Sequence, residues 1–282
     1  MVMILNIQEI QKYCIDKLKE NNIEDYNLKT KLLICKVIDK QKEYLITHDK
    51  EELSESQMSE IKNNIAKIIE GYPIQYIISH QEFMGLDFFV NENVLIPQPD
   101  TEILVEEVIN ICKIKEKSKI LDLCTGSGAI AVSLKKYIKQ AEVSASDISK
   151  EALEVARINA KNNNTEIEFI ESDLFENIDK KFDIIATNPP YIKTEVIKDL
   201  SLEVQKEPHI ALDGGQDGLD FYRKIIDNAY KYLEENGCLT LEIGYDQKEE
   251  VIELIENSNQ YKEIYSKKDL AGNDRIIVCK RR

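Results

Sequence analysis

The chain has 282 residues and a formal net charge of −15 at pH 7, a length that suits one catalytic domain with a smaller accessory domain. Hydrophobic residues make up 43% and charged residues 32%, enough apolar material for a core, which excludes wholesale disorder. The acidic balance argues against a phosphate-coated partner, because affinity for nucleic acid rests on Lys and Arg displacing counterions.

Six scattered cysteines form no C-x-x-C pair and read as reduced thiols. The N-terminus lacks a basic region and a cleavage site, and no run approaches a membrane span, so a cytoplasmic location is expected.

From residue 6 to about 71, apolar residues recur at helical spacing, as in Ile7, Ile10, Tyr13, Cys14 and Leu18. A later helix is signalled by Ser54 as N-cap, by Met58, Ile61, Ile65, Ile68 and Ile69, and by Gly71 as its stop. Residues 72–97 change period and read as a hairpin-like linker with breaks at Gly85 and Asn91-Glu92-Asn93. Asp100 or Thr101 is then expected to cap a helix built on Ile103, Leu104, Val105, Val108 and Ile109. Beyond Lys119, apolar strands at 119–123, 142–146, 166–170, 182–187 and 238–244 alternate with helices, followed by a last helix and two strands. This is the pattern of an α/β layer fold with a mainly parallel sheet, whose ligands bind at the carboxyl ends of the strands.

Gly126 and Gly128 fall between a strand and a helix, where missing side chains let a ligand touch backbone. About 20 residues on, Asp147 ends the next strand, where a carboxylate can accept both hydroxyls of a ribose. Asp173 is placed to meet an adenine amino group, and Leu174 to cover the ring. A third glycine of the dinucleotide pattern is absent, its position held by Ala131, so these residues alone leave a nicotinamide dinucleotide and S-adenosylmethionine both open.

Asn188-Pro189-Pro190-Tyr191 makes the distinction. An amide or aromatic amine nitrogen is a poor nucleophile, because its lone pair is delocalised. The Asn188 oxygen and the Pro189 carbonyl can each accept one N–H of a target NH2 group, fixing the nitrogen and raising its electron density. Pro190 keeps Pro189 extended, and Tyr191 is expected to stack on a flat target. In-line displacement then needs positioning more than acid–base help, so no catalytic triad is expected. His48, His80 and His209 lack metal-ligand spacing, and no metal is expected.

At this point the chain resembles a family, the release-factor glutamine N5-methyltransferases of HemK type, over nearly its whole length. The resemblance is carried by residues 71–77, Glu82-Phe83-Met84-Gly85, Leu95-Ile96-Pro97 with Pro99-Asp100-Thr101-Glu102, the LDLCTGSGAIA turn and Asn188 to Tyr191. It continues through Glu207-Pro208, Gly214-Gly215, Asp217-Gly218-Leu219, Tyr222-Arg223 and Leu241-Glu242-Ile243-Gly244. It implies a seven-stranded, mainly parallel Rossmann-like methyltransferase sheet at residues 98–282, a helical substrate-recognition domain at 1–72 and a β-hairpin linker at 73–97. It also implies S-adenosylmethionine as methyl donor, S-adenosylhomocysteine as product, and the glutamine of the Gly-Gly-Gln loop of class I release factors as acceptor.

By the same resemblance Cys124, Thr125, Gly126, Ser127, Gly128, Asp147, Leu174 and Asn188 contact the cofactor, and Asn188, Pro189, Pro190 and Tyr191 hold the glutamine. Two positions depart from the family: Gln98 stands where it usually has Arg, and Leu174 where it often has an aromatic residue. Rival readings are an amino-methyltransferase acting on adenine or cytosine of nucleic acid, and one acting on a ribosomal-protein glutamine. Class I release factors are the expected partners, with no direct DNA and no membrane, and a monomer is compatible with the residues.

Overall fold

A computed structural model describes residues 5–113 and 117–282. These fall into two compact units: residues 1–79 with 201–206, and residues 80–200 with 207–282.

The first unit is helical, with α1 at Ile7–Glu20, α2 at Tyr26–Ile38, α3 at Tyr44–Thr47, α4 at Glu55–Ile69 and α5 at Ile74–Ile78. Asn6 and Ser54 close reciprocal capping boxes at the starts of α1 and α4, which satisfies backbone donors that a helix start otherwise leaves bare. Ile7, Ile10, Cys14 and Leu18 form one stripe on α1, and Met58, Ile61, Ile65 and Ile68 form another on α4. With Leu33, Ile34 and Ile74 they build a single core. Residues 201–206 join this unit although they lie far along the chain. Glu203 pairs with Lys29 at 2.5 Å, and Leu202 lies so close to Gly71 that an added Cβ there would sit 2.3 Å from the Leu202 Cβ.

The second unit opens with a hairpin, β1 at Gln81–Phe83 and β2 at Leu86–Phe88, then α6 at Glu102–Cys112. It continues with β3 at Lys119–Leu123, α7 at Ala129–Tyr137, β4 at Glu142–Asp147, α8 at Lys150–Asn162, β5 at Glu168–Glu171 and β6 at Phe182–Thr187. The last elements are α9 at His209–Leu212, α10 at Asp220–Tyr232, β7 at Leu233–Glu242, α11 at Lys248–Ser258, β8 at Tyr261–Lys268 and β9 at Asp274–Arg281.

Seven strands form one sheet in the order β5-β4-β3-β6-β7-β9-β8. The first five are parallel to their neighbours, and β9 and β8 are antiparallel. Strand direction alternates side chains between two covered faces. Ile120, Ile184 and Ala186 pack under α6 and α7, whereas Leu121, Leu123, Ile185 and Phe182 pack under α10 and α11. The order reverses between β3 and β6, so the carboxyl ends of these two strands flank the crevice where ligands bind in such sheets.

Two expectations change. The expected break between domains after Tyr72 lies inside the helical unit, and the hairpin belongs to the second unit instead of forming a separate linker. Phe83 and Phe88 enter the core formed with α6 and α7, Met84 N donates to Glu102 at 2.6 Å, and the Asn159 side chain bonds both the N–H and C=O of Phe89. Buried aromatic area and satisfied backbone groups hold the hairpin there. Thr101 stands at the N-cap position of α6 but makes no side-chain cap bond, because a 3-10 turn at Pro99–Thr101 leads straight into the helix. The Asp100 and Thr101 side chains are engaged elsewhere, as described below.

Candidate active site

The loop after β3 is held by an acid buried in the middle of an apolar strand. Asp122 Oδ2 accepts from Thr125 Oγ1 at 2.5 Å and from Ala131 N at 3.0 Å, tying the loop and the first turn of α7 to the strand. Burial pushes the Asp122 carboxyl up to about 7. Cys124 sits at φ 62°, a left-handed conformation that a non-glycine residue adopts only when its surroundings enforce it. Gly126 lines the cleft, and a Cβ added to it would meet no protein atom within 4 Å.

Asp147, at the end of β4, faces this turn. Its Oδ2 accepts from Gly126 N at 2.8 Å and its Oδ1 from Ser149 N at 2.9 Å, and burial raises its pKa. Each oxygen keeps a second lone pair, so both backbone bonds can persist while the carboxylate accepts two hydroxyls. Asp147 does not cap α8; Ser149 does, accepting from Ala152 N. Beyond β5, Leu174 is held at φ 48° by its carbonyl, which accepts from Ser172 Oγ at 2.8 Å. Leu174 and the exposed Asp173 both line the cleft.

On the other side of the switch point, Thr187 Oγ1 donates to Leu123 O at 2.6 Å, stitching the ends of β6 and β3 together. Asn188 follows directly and lines the cleft with Pro190. Asn188 Nδ2 donates to Thr101 Oγ1 at 3.2 Å. Beneath them lies Glu242, 2% exposed at the end of β7. Burial pushes its carboxyl up to about 7, opposed by the nearby Thr101 and Asn188 side chains and the charge of Arg275. Arg275 in turn pairs with Asp100 at 3.1 Å and Asp269 at 3.0 Å.

The cleft encloses about 1200 Å³ with its mouth. It gathers Cys124, Thr125, Gly126, Ser127, Asp147, Asp173, Leu174, Asn188 and Pro190 on one rim. Three of the expected site residues do not line it. Gly128 starts α7 at φ 79°, and a Cβ there would sit 3.0 Å from the Ala156 Cβ, so its bareness serves helix packing. Pro189 is buried. Tyr191 packs its ring against the second apolar cluster, and burial pushes its phenol up. The ring thus packs against the core and does not line the cleft, where a stacking role would place it.

The backbone of Tyr191 is clasped as well. Gln247 Nε2 donates to Tyr191 O at 3.0 Å, and a Cβ on Gly214 or Gly218 would fall within 2.7 Å of Tyr191 backbone atoms. Asp122, Thr101, Glu242, Arg275 and Gln247 were missed in the sequence. The available signal was an acid inside an apolar strand, as in 119–123 and 238–244. Gln98 lines the cleft and bonds Ile96 O, while Asp100 takes its cation from Arg275. His48 stacks on Tyr44, His80 and His209 lie beside Asp87 and Asp213, and none of the three is a lining residue of the cleft.

Fold and site together define a methyltransferase of the doubly wound α/β class, with a glycine turn and a ribose-type acid across the switch point from an Asn-Pro-Pro-Tyr end. Residues 98–207 match the family model "Methyltransferase small domain" and residues 9–78 match "PrmC N-terminal domain". A release factor glutamine methyltransferase of Clostridium acetobutylicum is 42% identical over 94% of this chain and 94% of its own length. One of Clostridium botulinum is 38% identical over 99% of this chain and 100% of its own. The chain belongs to the release factor glutamine methyltransferase family. A methyltransferase structure from Pyrococcus furiosus shares the fold, with a TM-score of 0.52 at 20% identity, covering 78% of this chain and 98% of that one. Among the described residues no helix is long and apolar enough to cross a membrane.

Proposed function

We propose that the protein transfers a methyl group from S-adenosylmethionine to the side-chain amide nitrogen of the glutamine in the Gly-Gly-Gln loop of class I release factors, in the cytoplasm. The observation that carries this reading is the placement of Asn188 at the end of β6, on the same cleft as Gly126 and Asp147 and across the switch point from them. The names of the relatives supply the acceptor.

The residues present fit the donor. Gly126 faces space that no protein atom fills, Asp147 offers two oxygens with spare lone pairs, and Leu174 offers an apolar face. When bound, S-adenosylmethionine supplies an electrophilic methyl group. Asp147 would hold the ribose hydroxyls, Leu174 and Asp173 the adenine, and the turn from Cys124 to Ser127 the remainder. Asn188 Oδ1 would accept one N–H of the glutamine amide, orienting its nitrogen and raising its electron density. The Pro189 carbonyl is assigned the second N–H. Transfer of the methyl group to the amide nitrogen would break the donor's sulfonium–carbon bond and leave a neutral thioether, the proton shed by the nitrogen passing to water at the mouth of the cleft, and alignment of the pair would supply most of the acceleration. The helical unit is assigned recognition of a remote surface of the release factor, spending binding energy away from the reacting amide.

The test is to incubate the protein and labelled S-adenosylmethionine with purified release factor, ribosomes, DNA and RNA. Label on the release-factor glutamine is expected. Label confined to nucleic acid or to ribosomal protein would overturn the assignment.

A further inference from the structure

The geometry points to Gln247 as the positioning residue that holds the acceptor end of the site, Asn188 to Tyr191, in its working place. This deepens the proposed function and rests on its reading of Asn188 and Pro189 as the groups that accept from the target amide. Gln247 is 5% exposed at the start of α11 and is not a lining residue of the cleft, so it acts through the segment it binds. Its Nε2 donates to Tyr191 O at 3.0 Å and to Gly218 O at 3.2 Å, and its Oε1 accepts from Gly244 N at 3.0 Å. The Tyr222 hydroxyl, which donates to Glu242 O at 2.9 Å, lies 3.5 Å from the same Oε1. A side-chain amide carries two donors on one atom and an acceptor on the other. Here both donors meet carbonyls and the acceptor meets an N–H, a set that only an amide in this orientation satisfies. One buried group thereby joins the end of β7, the loop before α10 and the residue that closes the Asn-Pro-Pro-Tyr segment.

Three glycines are bare around this amide and the residue it holds. A Cβ on Gly244 would sit 2.7 Å from Gln247 Oε1, and one on Gly214 would sit 2.7 Å from Tyr191 Cα. One on Gly218 would sit 2.5 Å from Tyr191 O and 2.7 Å from Gln247 Nε2. Backbone therefore closes on the clasp from several sides and leaves it little slack. At the other end of the segment, Thr187 Oγ1 anchors β6 by donating to Leu123 O at 2.6 Å. Between that anchor and Tyr191 stand two prolines, each with φ fixed by its ring at about −65°, and Pro190 restricts Pro189 to extended backbone. So short and stiff a segment cannot absorb a shift within itself. Release of Tyr191 O passes the displacement on to the Pro189 carbonyl and to Asn188, and misplacing a positioning group by about 1 Å costs on the order of 100-fold in rate.

The experiment measures kcat, KM for whole release factor, S-adenosylmethionine affinity by calorimetry and stability in urea. It uses the intact chain as wild type and as Gln247→Met, Gln247→Glu, Gly244→Ala, Val251→Ala and Asn188→Ala. Gln247→Met keeps the length of the side chain and removes every bond of the amide. Gln247→Glu sets an oxygen against two carbonyls in place of the donors. Gly244→Ala, at a φ outside the left-handed region, keeps Gln247 and presses on its Oε1, the far end of a flexible side chain, so it should disturb folding little. Val251, fully buried on α11, contributes no side-chain bond to the clasp, and its truncation reports what destabilisation alone does. The expected result is a fall in kcat of roughly 10–100-fold in Gln247→Met, a larger one in Gln247→Glu and about 10-fold in Gly244→Ala. Donor affinity should stay within about 2-fold in all three, and Val251→Ala should keep wild-type kcat despite its lost stability.

Wild-type kcat in Gln247→Met and Gly244→Ala overturns the inference. So does a fall in kcat that Val251→Ala shares, or one matched by an equal loss of donor affinity, since either would make Gln247 merely structural. Asn188→Ala separates the two levels: normal turnover there defeats the acceptor reading itself, whereas an impaired Asn188→Ala beside a normal Gln247→Met defeats only the role of Gln247.

Discussion

Gly126 and Gly128 look equivalent in the sequence, yet their surroundings predict opposite consequences for the same substitution. At Gly128 an alanine would have to hold φ 79° and place its Cβ 3.0 Å from the Ala156 Cβ and 3.2 Å from the Ala156 Cα. The left-handed backbone costs about 1–2 kcal/mol and the overpacking against α8 about 1–3 kcal/mol. Gly128→Ala should therefore lower stability by roughly 2–5 kcal/mol, a large share of what a domain of this size has. At Gly126 the φ of 54° carries the same backbone penalty, about 1–2 kcal/mol, but the new Cβ meets no protein atom within 4 Å. That space adjoins the cleft, so Gly126→Ala should be mildly destabilised and should bind S-adenosylmethionine at least about 10-fold more weakly, the methyl taking room meant for the ligand. Urea denaturation gives the stabilities, and calorimetry at a temperature where both variants are folded gives the affinities. A stable Gly128→Ala that fails to bind, beside an unstable Gly126→Ala that binds normally, would refute this division of roles.

Asp147→Ala should weaken S-adenosylmethionine binding by about 1–3 kcal/mol through lost hydrogen bonds to buried hydroxyls, and calorimetry showing unchanged affinity would remove Asp147 from the site. Asp122 and Glu242, each pushed up to about 7 by burial, favour their neutral forms in the fold. Their contribution to stability is complete below the ordinary carboxylate range and is lost as pH rises through about 7. Denaturation between pH 5 and 8 should thus show wild type losing up to about 3 kcal/mol that Glu242→Gln retains, and parallel pH slopes for the two proteins would contradict it. A short Gly-Gly-Gln peptide should be methylated with a much lower kcat/KM than the whole release factor, since it lacks the surface assigned to the helical unit. Equal values for peptide and factor would end that assignment.

Periodicity alone was sufficient for the helical first unit and for the alternation of strands and helices, because a stripe such as Met58, Ile61, Ile65 and Ile68 leaves a helix only one way to bury itself. Chemistry legible in one place was legible too. A glycine turn after 119–123, an acid after 142–146 and Asn188-Pro189-Pro190-Tyr191 after 182–187 all sit at strand ends, and parallel strands put their carboxyl ends on one rim. What stayed hidden depends on partners distant in sequence. Thr101, 87 residues before Asn188, reads locally as a cap and is in fact bonded to Asn188. Gly128 reads as a ligand glycine until Ala156 is seen against it, and Tyr191 as a stacking ring until its packing against the second apolar cluster is seen. Residues 201–206 give no local sign that they pack with Gly71 and Lys29. Local propensity and pattern act over a few residues and specify elements. The direction of a buried side chain is decided by whichever donors, charges and surfaces the sheet order brings beside it, and only the tertiary structure supplies those.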